Sequence, residues 1–214
     1  MNKAFIFDMD GVIVDSESLW KNYEQIFLPK LIGKQRYVKI KDHVLGNSVS
    51  AIYALAYKYD SKVSKEDFEH VYDTYAEEVY KNAKIAEGLE LFIEELKSLK
   101  YKIGLVSSSR KYWMDLVLNK LSKKSKFEFV LSLDSRSTKP KPFPDGYLEA
   151  MRVLGSQPNS TIILEDSQRG IDAGKACGAF TICLKTYLPK GYSPEGADMC
   201  IKSFKELTNI IRKI

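Results

Sequence analysis

The chain has 214 residues, 44% hydrophobic and 29% charged, which suits a soluble globular protein with one core, or a core plus a small second unit, and leaves no room for a low-complexity chain. Thirty-three Lys and Arg face 28 Asp and Glu, a formal charge of +5. Residues 17–83 carry ten of each sign, so the excess is spread over the rest of the chain, a pattern that suits a small anionic partner and not a nucleic acid.

Residues Lys3 to Phe7 read as a buried parallel strand that ends in Asp8 and Asp10 before turning at Gly11. That apolar run is too short for a signal peptide or a membrane span, so no membrane partner and a cytoplasmic location are expected. After Asp15 the period becomes helical. Ser16 is a candidate N-cap, and Leu19, Tyr23, Ile26 and Phe27 share one face up to Pro29. Helices over 47–59 and 65–82, capped by Asn47 or Ser48 and by Ser64, complete an all-helical insertion over 16–83.

From Gly88 onward helix and strand alternate: helix 88–99, strand 102–106, helix 111–121, strand 127–131, helix 144–154, strand 161–164, helix 168–177, strand 180–184, and a last helix near 203–213. This alternation predicts an α/β protein with a doubly wound parallel sheet and helices on both faces. Residues 185–198, rich in Gly and Pro, read as a loop. The expected organisation is one core built from 1–15 and 84–214, interrupted by a helical domain over 16–83. Nothing in the sequence marks a dimer seam, so a monomer is the default.

Two carboxylates at the carboxyl end of a core strand need a positive neighbour. At i and i+2 Asp8 and Asp10 share a face, and a hard cation such as Mg²⁺ neutralises such a pair. Strand 161–164 ends in two more acids, Glu165 and Asp166. Acids at the ends of two strands, backed by a lysine, point to a metal and phosphate site and not to a solvated face. Ser107 to Ser109 follow another buried strand. They can cap the helix at 111, or donate to a phosphoryl oxygen, or both. The three cysteines, Cys177, Cys183 and Cys200, have neither CxxC nor metal-ligand spacing and read as small core residues of a reduced compartment. The two histidines, His43 and His70, lie far from these residues, which disfavours His-based triads and zinc sites.

Asp8-Met-Asp10-Gly11-Val-Ile-Val-Asp15-Ser16-Glu17 resembles the first motif of the haloacid dehalogenase-like superfamily, near its β-phosphoglucomutase-like branch. Three further motifs follow in order: Val106-Ser107-Ser108-Ser109, Lys141-Pro142-Phe143-Pro144-Asp145, and Leu164-Glu165-Asp166-Ser167-Gln168-Arg169-Gly170-Ile171. The resemblance implies a Rossmann-like core with a helical cap inserted after the first strand. It also implies a Mg²⁺-dependent phosphatase acting on a small phosphorylated metabolite, such as a sugar or polyol phosphate. Asp8 would be the nucleophile and Asp10 the general acid and base, with Ser107 and Lys141 holding the phosphoryl group. Asp8, the Asp10 backbone carbonyl and Asp166 would bind the metal, with Glu165 a direct or an outer ligand. Lys139-Pro140 offers a competing Lys-Pro element, but only Lys141 is followed by Xaa-Pro-Asp and an aromatic, Tyr147.

By position in the branch, Ser108, Ser109, Arg110, Gly46 and Asn47 are candidate substrate contacts. The alternatives are a sugar phosphate mutase of the β-phosphoglucomutase type and a non-catalytic phosphate-binding protein. Asn47-Ser48-Val49 lacks the arginine of the mutase, and Trp20 stands where its histidine is expected. Both departures favour the phosphatase, and the intact acids and lysine speak against the non-catalytic reading.

Overall fold

The computed structural model describes residues 2–44, 47–123, 125–134 and 138–212. The chain forms two compact units, one of residues 1–15 and 84–214 and one of residues 16–83.

The first unit carries a six-stranded parallel sheet. Its strands are β1 (Lys3–Phe7), β4 (Tyr101–Ser107), β5 (Phe129–Ser132), β6 (Thr161–Glu165), β7 (Phe180–Leu184) and β8 (Met199–Ile201), in the order β5-β4-β1-β6-β7-β8. Helices α5 (Leu89–Ser98), α6 (Lys111–Leu118), α7 (Asp145–Leu154), α8 (Gln168–Ala176) and α9 (Phe204–Ile211) alternate with the strands. The doubly wound α/β reading therefore holds. A two-residue antiparallel pair, β2 (Val14–Asp15) with β3 (Lys84–Ile85), ties together the two places where the chain leaves and re-enters this unit.

Alternation along β1 sorts its side chains onto two faces. Phe5 and Phe7 join Phe92 of α5 and Phe204 of α9 in an aromatic cluster with ring centroids 4.7–6.5 Å apart. Ala4 and Ile6 face the other way, into a core with Tyr147, Ala150, Met151 and Leu154 of α7 and Ala173 of α8. Every residue of β1 after Lys3 is buried on both sides, which is why the strand reads as a continuous apolar run.

The second unit holds α1 (Glu17–Leu31), α2 (Lys34–Ile40), α3 (Val49–Lys58) and α4 (Lys65–Asn82). Ser48 and Ser64 cap α3 and α4 by accepting from the amides of Ala51 and Asp67. Ser16 occupies the N-cap of α1 without a side-chain capping bond, and α1 runs through Pro29 to Leu31. Trp20 packs inside this unit, 5.6 Å from the Tyr72 ring and 6.0 Å from the Tyr80 ring, and its indole N–H donates to the Tyr80 hydroxyl at 3.3 Å.

Glu24 on α1 accepts from the Tyr72 hydroxyl of α4 at 2.9 Å. Burial pushes its carboxyl up from 4.5 to about 7, against the lowering effect of the Tyr72 bond. The folded state thus keeps a proton that the unfolded chain releases near 4.5. Stability from this group is complete below 4.5 and is lost as the pH rises through about 7. Thermal melts of wild type are expected to fall across that window, and melts of Glu24→Gln to be flatter. Equal pH slopes would show that Glu24 titrates alike in both states.

Candidate active site

Neighbouring parallel strands β4, β1 and β6 end on one edge of the sheet, so Ser107, Asp8 and the Glu165–Asp166 pair arrive together. Asp8 extends β1 by one residue, its amide donating to the Leu164 carbonyl at 2.9 Å. The chain then turns at Gly11 with φ +74°, and a Cβ there would stand 1.8 Å from Asp166 Oδ2. Glycine is thus required both by the left-handed backbone and by the carboxylate lying against the turn.

One oxygen each from Asp8, Glu165 and Asp166 lies within 4.8 Å of the others, and all three residues are buried. Three buried carboxylates this close are tolerated only with positive charge among them. Lys141, 4% exposed, supplies it: its Nζ donates to Asp8 Oδ1 and Glu165 Oε1, each at 2.5 Å, and to the Val106 carbonyl at 3.2 Å. Lys139, by contrast, is exposed, with its Nζ 5.2 Å above the Phe143 ring. Of the two Lys-Pro elements, the fold brings only the second to the acids. Hard oxygen donors in a buried cluster are the chemistry that a divalent cation such as Mg²⁺ prefers, so the residues fit such an ion.

The oxygens of Glu165 already have partners. Oε1 accepts from Lys141 and, at 2.6 Å, from the Tyr147 hydroxyl. Oε2 accepts from the Asp166 and Ser167 amides at 3.1 and 3.3 Å and from the Ser167 hydroxyl at 3.0 Å. Ser167 is also the N-cap of α8, accepting from the Gly170 amide. Gly170 must lack a side chain, because a Cβ there would stand 1.9 Å from the Glu165 carboxyl. Arg169 donates to the Lys141 carbonyl. Tyr147, Ser167 and Gly170 were in view in the sequence without these roles. The serine just ahead of a helix and the glycine three residues on were the only signals for the last two.

Burial raises the Asp8 pKa, with the nearby Glu165 and Asp10 adding to that and Lys141 opposing it; the net direction is upward. Burial also works against the Lys141 charge, but Asp8 and Glu165 overcome it and hold the ammonium above its ordinary value. Tyr147 is pushed well above its ordinary range by burial and by Glu165, so it stays a donor.

Ser107 at the end of β4 and the two serines after it do not cap α6; Arg110 occupies its N-cap without a side-chain capping bond. Ser107, 1% exposed, accepts from the Ser109 amide at 3.0 Å through its Oγ. The Ser109 hydroxyl donates to Asp10 Oδ2 at 2.5 Å, joining the second motif to the first. Ser108 is half-buried in the same turn, and Arg110 pairs with Asp134 at 3.3 Å. Asn47 belongs to the helical unit, where its amide donates to the His43 carbonyl at 2.8 Å. Gly46 lies outside the described residues. A cleft of about 1040 Å³ between α5 and α9 shares no residue with the acidic cluster.

The sequence profile of the haloacid dehalogenase-like hydrolases matches residues 5–184, a span that contains every acid and the lysine of this cluster. The chain belongs to that family. It is a hydrolase of that superfamily. β-Phosphoglucomutase of Bacillus subtilis (strain 168) is 28% identical over 219 residues, covering 96% of this chain and 92% of the relative. Hexitol phosphatase B of Escherichia coli (strain K12) is 27% identical over 212 residues, covering 96% and 94%. A crystal structure of a HAD family hydrolase from Deinococcus radiodurans R1, with bound phosphate and sodium, matches with a TM-score of 0.71 at 24% identity, over 99% of this chain and 96% of that one. Among the described residues no helix is long and apolar enough to cross a membrane.

Proposed function

We propose that this enzyme hydrolyses a small phosphomonoester, a sugar or polyol phosphate, through a phosphoryl group carried transiently on Asp8. The observation that carries this reading is the Lys141 ammonium 2.5 Å from both Asp8 and Glu165 in a buried acidic cluster. Asp8 attacks phosphorus and the leaving alcohol departs. Asp10, two residues on and held by Ser109, gives that alcohol a proton and then takes one from the attacking water. Ser107 donates its hydroxyl to a phosphoryl oxygen, and Lys141 offsets the added negative charge. Ser108 and Arg110 are proposed to meet the distal part of the substrate, as are Gly46 and Asn47.

We assign Mg²⁺ to Asp8, Asp166 and the Asp10 backbone carbonyl. When bound, the ion lowers the repulsion between an anionic nucleophile and an anionic phosphate. Glu165, with both oxygens engaged by protein donors, is assigned to holding Lys141 and the 166–167 turn in place. The helical unit acts as a cap that excludes water and selects the substrate, in a cytoplasmic monomer.

The test is phosphate release from a panel of sugar, polyol, nucleotide and glycolate phosphates with Mg²⁺ and with excess chelator. Glucose 1-phosphate plus a trace of bisphosphate is run beside it. Release from sugar or polyol phosphates that stops with chelator is expected. Isomerisation of glucose 1-phosphate without release would make the enzyme a mutase, and no turnover of any kind would favour a phosphate-binding protein.

A further inference from the structure

By sequence the three cysteines read as small core residues of a reduced compartment, and Cys200 departs from that. Cys200 is exposed, on the edge strand β8. Its register partner on β7 is Cys183, which is fully buried. Neighbouring strands lie about 4.7–4.9 Å apart, and a disulfide spans Cα atoms about 4.4–6.8 Å apart. Register partners on adjacent strands point their side chains to the same face, so the register pairing sets the two thiols side by side. Burial, with Cys200 adding to it, pushes the Cys183 thiol up to about 12, and Lys185 opposes this only in part, so Cys183 is the resolving and not the peroxide-attacking sulfur. An exposed thiol set beside a second thiol is the arrangement in which a sulfenic acid is resolved to a disulfide. Cys177 has none of this. It is buried at the end of α8, its Sγ donating to the Gly174 carbonyl at 3.0 Å.

We propose that Cys183 and Cys200 are a modification site, a thiol pair that closes to an intramolecular disulfide on exposure to a peroxide and reopens with a thiol reductant. Cys200, the accessible sulfur, attacks a peroxide oxygen. An S–O bond forms, the O–O bond breaks, and the departing oxygen leaves as water or alcohol with the thiol proton. The Cys183 sulfur then attacks the sulfenic sulfur of Cys200, forming the S–S bond and expelling water that carries the Cys183 proton. The two thiols lose two electrons and the peroxide gains them, so the step balances without a further reagent. The bond would fasten the edge strand β8 to β7, the neighbour of the strand that ends in Glu165.

The experiment treats the full chain with equimolar hydrogen peroxide, alkylates it under denaturing conditions, and reads the intact mass and the peptides. Wild type is expected to fall from three alkylatable cysteines to one, with the peptides of Cys183 and Cys200 joined. Dithiothreitol should restore all three. Cys177→Ser should still form the bond. Cys200→Ser should keep both remaining thiols under peroxide while its basal phosphate release matches wild type, which shows that the variant is folded. Three free thiols after peroxide, stable oxygen adducts on Cys200 alone, or dimers linked through Cys200 would each overturn the proposal.

Discussion

Asp8→Asn is expected to fold like wild type and to lose at least about a thousandfold in turnover, the scale on which removal of a catalytic nucleophile is felt. The amide keeps the size of the side chain and can still face Lys141, but it offers no anionic oxygen to attack phosphorus. Melts should show a small change only, because the variant removes one of three buried carboxylates that repel each other. Phosphate release under saturating substrate measures the loss. Steady-state turnover within tenfold of wild type would remove Asp8 from the chemistry.

Lys141→Met is expected to have the largest effect on stability. Methionine fills the same channel, yet it leaves Asp8 and Glu165 buried without the ammonium that now sits 2.5 Å from each. Removing one partner of a buried, hydrogen-bonded ion pair typically costs about 3–5 kcal/mol. Phosphate release should be lost as well. Because the damage comes from uncompensated charge, adding Asp8→Asn should restore part of the lost stability, a non-additive result read from denaturant melts of the single and double variants. Additive losses, or a Lys141→Met melt equal to wild type, would mean that the ammonium does not neutralise these acids.

Much of the core was legible because its strands are buried on both faces. The runs at 3–7, 102–106, 161–164 and 180–184 are apolar without alternation, and the helices between them keep a clear period. The edge strand β8 was not, since Met199–Ile201 is three residues long with only Ile201 buried. Nor was α2, whose seven residues include Lys34, Arg36 and Lys39 and bury only Ile40. β2 and β3 have two residues each, too few for any pattern.

At the candidate site, the acids could be read because each ends an apolar strand. Their partners could not. Whether Glu165 spends its oxygens on a metal or on Lys141, Tyr147, Asp166 and Ser167 depends on side-chain rotamers and on how β6, α7 and α8 pack. None of that leaves a periodic trace. The Ser109–Asp10 bond joins residues 99 positions apart, and it exists because β1 and β4 are neighbours in register. A helix cap is the ordinary role of a serine run just ahead of a helix at residue 111. The turn after β4 instead directs Ser109 toward Asp10 and leaves Arg110 at the cap.

The covalent phosphoryl group on Asp8 is the claim most open to direct measurement. Wild type would be mixed with p-nitrophenyl phosphate and Mg²⁺, quenched within a turnover, reduced with borohydride and digested for peptide mass spectrometry. The account predicts homoserine at position 8, the reduction product of an acyl phosphate, with none at position 10 and none when the substrate is omitted. Rapid release of phosphate with an unmodified Asp8 peptide at every quench time, or with the label at another carboxylate, would contradict it.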